Sequence, residues 1–270
     1  MKIGIFDSGL GGLSILKELL QKLPQYDYVY LADNKHVPYG SKSTDKIYEY
    51  TLKSVEFLFK QNCSLVILAC NTASAVALRK IQQNDLPSFF PKKRLLGVIR
   101  PTTETILSLP LSKSIGILAT SATIKSGYFI EDLNKTKKKH PPIFQQACPN
   151  LVPLIESSQF DLLKFKISLN SYLTPLKKKK VKTIILGCTH YGLLHDEVQK
   201  MVGPSILIIS QGEIIAQKLK DYMQKHTEFS SKLSKNSSRL YFATQPSNLY
   251  CNKIKKYILT SIFLQEAKLI

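Results

Sequence analysis

Apolar runs of four or five residues recur along the chain, and the stretches between them repeat their apolar positions at helical spacing. The runs predict strands at Lys2–Phe6, Tyr28–Leu31, Leu65–Ala69, Leu95–Ile99, Ser114–Leu118, Ile143–Gln146, Thr183–Gly187, Ile206–Ile209 and Leu240–Ala243. Helices are predicted at Leu13–Lys22, Thr44–Gln61, Ala73–Gln83, Ala122–Asn134, Phe160–Leu173, Leu193–Val202, Gly212–Lys225 and Asn248–Ala267, the last with a break. Short β-rich runs alternating with helices are the pattern of parallel sheets covered on both faces. Right-handed crossovers follow by default. The predicted class is α/β.

A repeat runs through this series. Ile3-Gly4-Ile5-Phe6-Asp7-Ser8 returns as Ile115-Gly116-Ile117-Leu118-Ala119-Thr120, and Val66-Ile67-Leu68-Ala69-Cys70-Asn71-Thr72 returns as Ile184-Ile185-Leu186-Gly187-Cys188-Thr189-His190. The offsets are 112 and 118 residues. Two word pairs in one order at nearly one offset predict two similar α/β domains in pseudo-symmetric arrangement. The first takes residues 1–98 plus 208–270, its tail crossing back to complete it; the second takes 99–207. The polar, serine-rich Phe229–Arg239 is expected as a surface loop in that tail.

Composition narrows the class. Apolar residues at 44% and charged residues at 21% are globular values, and 270 residues bury a core without disulfides or metals. No run reaches the roughly 18 apolar residues of a membrane span. The N-terminus lacks a signal peptide's apolar stretch, so a cytoplasmic protein is expected. The cysteines Cys63, Cys70, Cys148, Cys188 and Cys251 are odd in number and form no CxxC pair, which excludes a disulfide framework or thiolate zinc site. Thirty-eight basic against 19 acidic residues give a net charge of +19. The lysine clusters Lys92–Arg94, Lys135–Lys139 and Lys177–Lys180 are short and border loops, and lysine is the poorer bidentate reader of phosphate and bases. They read as solvated surface, with no specific nucleic-acid or membrane partner. A homodimer is compatible with the sequence.

Ligands of parallel α/β sheets bind beyond the carboxyl ends of the strands. Asp7-Ser8-Gly9-Leu10-Gly11-Gly12 lies there, opening a helix whose free N–H groups favour an anion. It is neither a dinucleotide fingerprint nor a P-loop, and carboxylate binding suits it better. Cys70 and Cys188 stand at matching places in the two repeats, each at a helix start where a thiolate is favoured. If the domains face each other, two thiols flank one cleft, an arrangement suited to proton transfer on opposite faces of one carbon. A cysteine protease needs one thiol with a histidine, which His190 imitates, but it leaves the second cysteine unexplained. Tyr39-Gly40 offers a backbone donor beside an aromatic wall, and His36 either is solvated or lines the cleft. His140, His195 and His226 read as surface residues. The imidazoles and carboxylates show no metal-ligand spacing.

These residues carry a resemblance to the glutamate racemases of the cofactor-independent aspartate/glutamate racemase family. It rests on FDSGLGG at Phe6–Gly12, Asp33 with VPYG at Val37–Gly40, LACNTASA at Leu68–Ala75, GVI-P at Gly97–Pro101, ATSATIKSGYF at Ala119–Phe129, ACPNLVPLIE at Ala147–Glu156 and LGCTHYGLL at Leu186–Leu194. The resemblance implies interconversion of L- and D-glutamate for peptidoglycan, with no pyridoxal phosphate or other cofactor and no metal. It makes Cys70 the residue that works on the D-isomer's α-proton and Cys188 on the L-isomer's. Asp7 then assists Cys70, His190 assists Cys188, and Glu156 is a further carboxylate near the second cysteine. Asp7, Ser8, Tyr39, Gly40, Asn71, Thr72, Thr189 and His190 hold the small-molecule substrate.

The chain departs from the family pattern at Asn34-Lys35-His36, Arg100, Thr102, Gly192, Ser210 and Gln211. None of these is a cysteine or Asp7. They leave room for a racemase acting on aspartate or another amino acid, which assays across amino acids separate. A non-catalytic binding protein using the basic surface is the reading from another class; it predicts nucleic-acid affinity without turnover. The short stretch before the first strand argues against the precursor-activated form of the family.

Overall fold

The computed structural model describes residues 1–111, 114–258 and 262–269. Among these residues ten strands form two wholly parallel sheets. The first is ordered β10-β9-β2-β1-β3-β4, with β1 Lys2–Asp7, β2 Tyr28–Ala32, β3 Cys63–Leu68, β4 Arg94–Gly97, β9 Arg239–Ala243 and β10 Leu264–Glu266. The second is ordered β6-β5-β7-β8, with β5 Ile115–Ala119, β6 Ile143–Ala147, β7 Thr183–Leu186 and β8 Leu207–Ile209. The order β2-β1-β3-β4 is repeated as β6-β5-β7-β8, so the sequence repeat is a repeat of topology. In each half the chain leaves the central strand to one side and later returns to the other. That is the switch point, where a crevice opens beyond the strand ends.

Twelve helices matter below: α1 Leu13–Lys22, α2 Thr44–Lys60, α3 Asn71–Val76, α4 Ile99–Ser108, α5 Ser121–Lys125, α6 Tyr128–Lys135, α7 Leu151–Glu156, α8 Leu162–Lys178, α9 Thr189–Gly192, α10 His195–Val202, α11 Gln211–Lys225 and α12 Asn248–Ile258. The strand centres are apolar throughout because helices cover both faces. Ile3 and Ile5 of β1 pack with Leu13, Leu16 and Leu19 of α1 and with Ile215 and Leu219 of α11. Phe6, Val66 and Leu68 face the opposite core with Val55 and Leu58 of α2. The second sheet has its own two cores, one with α8 and α10 and one with α4 and α6.

Several expectations change. The helix predicted over Ala122–Asn134 is two helices, because Gly127 takes φ +67°, a left-handed conformation open to glycine at little cost. The Ala73–Gln83 prediction breaks after Val76 and ends in a π-helical turn at Ile81–Asp85. Ile99, expected as the end of a strand, and residues 100–108, for which no element was predicted, form α4. The predicted tail helix stops at Ile258 and gives way to β10; residues 259–261 lie outside the described part. The serine-rich segment is the expected loop over residues 231–238, entered from a helical turn. Thr227–Ser230 is helical, and the Asp27 carboxylate accepts from the backbone N–H groups of Asn236 and Ser238 and from the Asn236 side chain, at 2.8–3.0 Å. No described helix is long and apolar enough to cross a membrane.

Burial penalises the Asp27 charge, but these hydrogen bonds outweigh it and hold its carboxyl below the ordinary value of 3.8. A depressed pKa contributes stability that is complete above pH 3.8 and is lost as pH falls through the folded value. Asp27→Ala is expected to destabilise the fold by about 2 kcal/mol at pH 7, the scale of orphaning buried N–H groups. Thermal unfolding at pH 7 and pH 3 checks this: the gap between wild type and variant narrows at the lower pH.

Candidate active site

The loops after β1 and β3 face those after β5 and β7. Cys70 is the N-cap of α3 and Cys188 the N-cap of α9, so the repeated cysteines hold equivalent backbone positions. Each is only 5% exposed. Neither lines the roomy cavity of about 710 Å³ between Arg79, Gly97, Tyr128 and Lys218. The cleft is therefore shut over its own chemistry.

The loop after β1 makes the closure. Asp7 is fully buried; it accepts from Gly9 N–H at 2.9 Å and, across the cleft, from the Thr189 hydroxyl at 2.9 Å. Leu10 N–H donates to Glu156 Oε1 at 2.7 Å, and Ser14 Oγ donates to the Thr189 carbonyl at 3.1 Å. The glycines permit this approach by lacking a side chain. A Cβ on Gly9 would collide with the Glu156 carboxylate, and one on Gly11 would lie 2.5 Å from His190 Nδ1. On the other rim, a Cβ on Gly40 would lie 2.5 Å from that of Thr120.

The two thiols have unlike surroundings. Cys70 Sγ donates to Ser8 Oγ at 3.6 Å. Burial, reinforced by the neighbouring Asp7, pushes the Cys70 thiol up to about 12, against weaker help from the Ala73 N–H and the Ser8 hydroxyl. Cys188 Sγ instead lies 3.9 Å from His190 Nδ1, and His190 Nε2 lies 2.6 Å from Glu156 Oε1. Burial opposes the imidazolium, but the Cys188 and Glu156 contacts outweigh it and raise His190 well above its ordinary value. Burial also raises Asp7, against the pull of His190, Gly9 and Thr189.

Of the five proposed acid/base residues, Cys70, Cys188, Asp7 and His190 are buried, and Glu156, partly buried, bonds His190 at their edge. The other proposed residues surround them with mixed orientation. Ser8 contacts Cys70. Thr72 Oγ1 shares a hydroxyl cluster with Thr120 at 2.9 Å and Thr123 at 3.2 Å. Tyr39 donates to Asp33 Oδ2 at 2.6 Å, and the same carboxylate bonds His36 Nδ1 at 2.9 Å. His36 also stacks on Tyr50, ring centroids 4.0 Å apart, so it is neither freely solvated nor part of the thiol cluster. The Asn71 amide turns to Gln211, leaving its backbone N–H as the group available to a ligand. Thr120 and Thr123 were not singled out from the sequence. The signal was present, since Thr120 occupies in the second repeat the place of Ser8 in the first. Cys63 is buried on β3, and Cys148 is buried in the same core as Cys188, its Sγ donating to the Gln146 carbonyl. Among the described residues no cluster of three His, Cys, Asp or Glu side chains is arranged to hold a metal ion.

Because desolvation dominates at Cys70, its alkylation by iodoacetamide in ligand-free protein should rise about tenfold per pH unit from pH 7 to 10, following the thiolate fraction. Peptide mapping of the modified protein checks this; a plateau by pH 9 would contradict the assigned environment.

The chain matches the model of the Asp/Glu/Hydantoin racemase family over residues 6–219. Glutamate racemase of Ruegeria pomeroyi is 39% identical over 238 residues, covering 84% of this chain and 86% of that protein. Glutamate racemase of Sulfurihydrogenibium sp. is 35% identical over 270 residues, covering 100% and 98%. Among solved structures, the Bacillus anthracis glutamate racemase isoform RacE1 superposes with TM-score 0.87 at 28% identity, over 99% of this chain and 97% of that one. Glutamate racemase of Francisella tularensis, in complex with D-glutamate, superposes with TM-score 0.84 at 25% identity over 99% and 97%.

Proposed function

The chain belongs to the Asp/Glu/Hydantoin racemase family and is a racemase; from that premise we propose that it interconverts L- and D-glutamate through Cys70 and Cys188. The observation that carries this reading is the pair of cysteines capping equivalent helices, each with its own buried polar partners. One thiolate removes the α-proton from one face, and the opposite thiol delivers a proton to the other. The electron pair of the broken C–H bond spreads into the substrate carboxylate, to whose growing negative charge N–H groups at the helix starts donate hydrogen bonds. The racemic product ratio needs no net oxidation or reduction, so two proton carriers suffice.

The helpers divide by half. Ala119 occupies in the second repeat the place of Asp7, so the second cysteine has no matching carboxylate and relies on His190 and Glu156. An imidazolium beside a thiol stabilises the thiolate and can share its proton. In this reading Cys70 with Asp7 works on the D-isomer and Cys188 with His190 on the L-isomer. Ser8, Tyr39, Gly40, Asn71, Thr72 and Thr189 hold the carboxylates and the amino group. The separate cores of the two sheets support 1–98 plus 208–270 and 99–207 as two domains with the site between them. The product serves peptidoglycan synthesis in the cytoplasm.

Circular dichroism of the purified protein with L-glutamate, then D-glutamate, without added cofactor, should decay to zero signal from both sides. Cys70→Ala and Cys188→Ala should each abolish this decay in both directions; full turnover by either removes the two-thiol assignment. Alanine should show a kcat/KM at least about a hundredfold below glutamate, since donors built for a distal carboxylate stay unpaired with it. Asp7→Asn should alter the primary deuterium effect chiefly with α-deuterated D-glutamate, and His190→Asn chiefly with the L-isomer. Identical patterns for the two variants would undo the pairing of each helper with its cysteine.

A further inference from the structure

The chain passes between the two sheets twice, once from β4 through α4 to β5 and once from β8 into α11. Both passages meet at the side chain of Gln211. Its Oε1 accepts from Asn71 Nδ2 at 2.6 Å, while its Nε2 donates to Asn71 Oδ1 at 3.0 Å and to Thr102 Oγ1 at 2.7 Å. Thr102 Oγ1 in turn donates to the Val98 carbonyl at 2.8 Å. Asn71, Thr102 and Gln211 are all buried.

We propose that Gln211 is a positioning residue that pins the Cys70-bearing turn to the pivot between the two sheets. The proposal deepens the racemase reading and rests on it. Ile215, Ala216 and Leu219 of α11 pack in the first sheet's core, whereas Ile99 and Ile106 of α4 pack in the second's. The Gln211–Thr102 bond therefore runs from one core to the other. The reciprocal amide pair runs from the same side chain to the residue next to Cys70, and two parallel hydrogen bonds fix both distance and twist. A buried amide pair is held strongly because either partner left alone loses its bonds with no water to replace them. Thr102 and Gln211 are two of the positions at which the chain leaves the family pattern. Far apart in sequence, they meet here as one bonded unit.

A closed cleft with both thiols 5% exposed must part to admit substrate. The pivot must then return Cys70 to the same place at each closure. Å-scale errors in a proton carrier's position are costly, so a loosened pin is read in turnover before it is read in binding.

Gln211→Met keeps the volume and removes the bonds to Asn71 and Thr102 together with a longer one from Nε2 to the Val98 carbonyl at 3.4 Å. It is expected to lower kcat about tenfold in both directions while KM changes less than about threefold, as for misplacement of a reacting group. Native-state alkylation by iodoacetamide, mapped by peptide, separates positioning from general loosening. Cys70 should react at least about threefold faster, whereas Cys63, also buried on β3 but remote from the pin, keeps its rate. Thr102→Val removes only the bond to Gln211 among those at the pin, along with the hydroxyl's own bond to the Val98 carbonyl, at nearly constant volume; it should show the same pattern more weakly, and it decides the matter if Gln211→Met does not fold. Unchanged kcat and Cys70 reactivity, or an equal rise at Cys63, would overturn the proposal. Failure of the wild type to racemise glutamate would count against the substrate instead, and the alkylation pattern would still judge the pin.

Discussion

One oxygen of Glu156 accepts from both Leu10 N–H and His190 Nε2, at 2.7 and 2.6 Å. This largely buried contact joins the loop after β1 in the first sheet to the imidazole beside the second sheet's cysteine. An isolated carboxylate there would be strongly disfavoured; with an imidazolium and a backbone donor it is matched. Gly9 and Gly11 can be nothing larger because this contact draws the loop so close. Removing Glu156 would both release the cleft and leave His190 without its partner. Lys253 of α12 adds to the arrangement by donating to the Glu156 and Ser157 carbonyls at 2.8 and 2.6 Å, which holds the end of α7 in place.

Duplication explains the symmetry of the scaffold, and substitution explains the asymmetry of the chemistry. The order β2-β1-β3-β4 and its copy place a cysteine at each switch point. What surrounds each sulfur then differs. Cys70 has a hydroxyl and a buried carboxylate nearby, and burial keeps it a neutral thiol at ordinary pH. Cys188 has the His190 imidazole, whose pKa its contacts with Cys188 and Glu156 raise against burial.

The scaffold was legible because it obeys local rules. Apolar runs gave nine strands within a residue or two, and the repeated words located both cysteines without any structure. The tenth strand escaped because Leu264–Glu266 is short, polar and at a sheet edge. Helix α4 escaped because Ile99-Arg100-Pro101-Thr102-Thr103 reads by local propensity as a strand end and turn, and only packing of Ile99 and Ile106 makes it helical. The break at Gly127 was signalled by the glycine itself. Contacts between the halves were the least legible part. Nothing local to Glu156 says that it meets Leu10, 146 residues away, and nothing near Asn71 says that its amide turns to Gln211.

The central claim is that two different groups carry the proton on and off the α-carbon. Its most direct test is racemisation of L-glutamate in deuterium oxide, stopped early and read by proton NMR and mass spectrometry. Thiol protons exchange with solvent between turnovers, so the new D-glutamate should carry deuterium at the α-carbon while the remaining L-glutamate keeps protium. Protium retained in the early D-glutamate, or deuterium appearing in the L-glutamate as fast as product forms, would mean that one group serves both faces and would contradict the account.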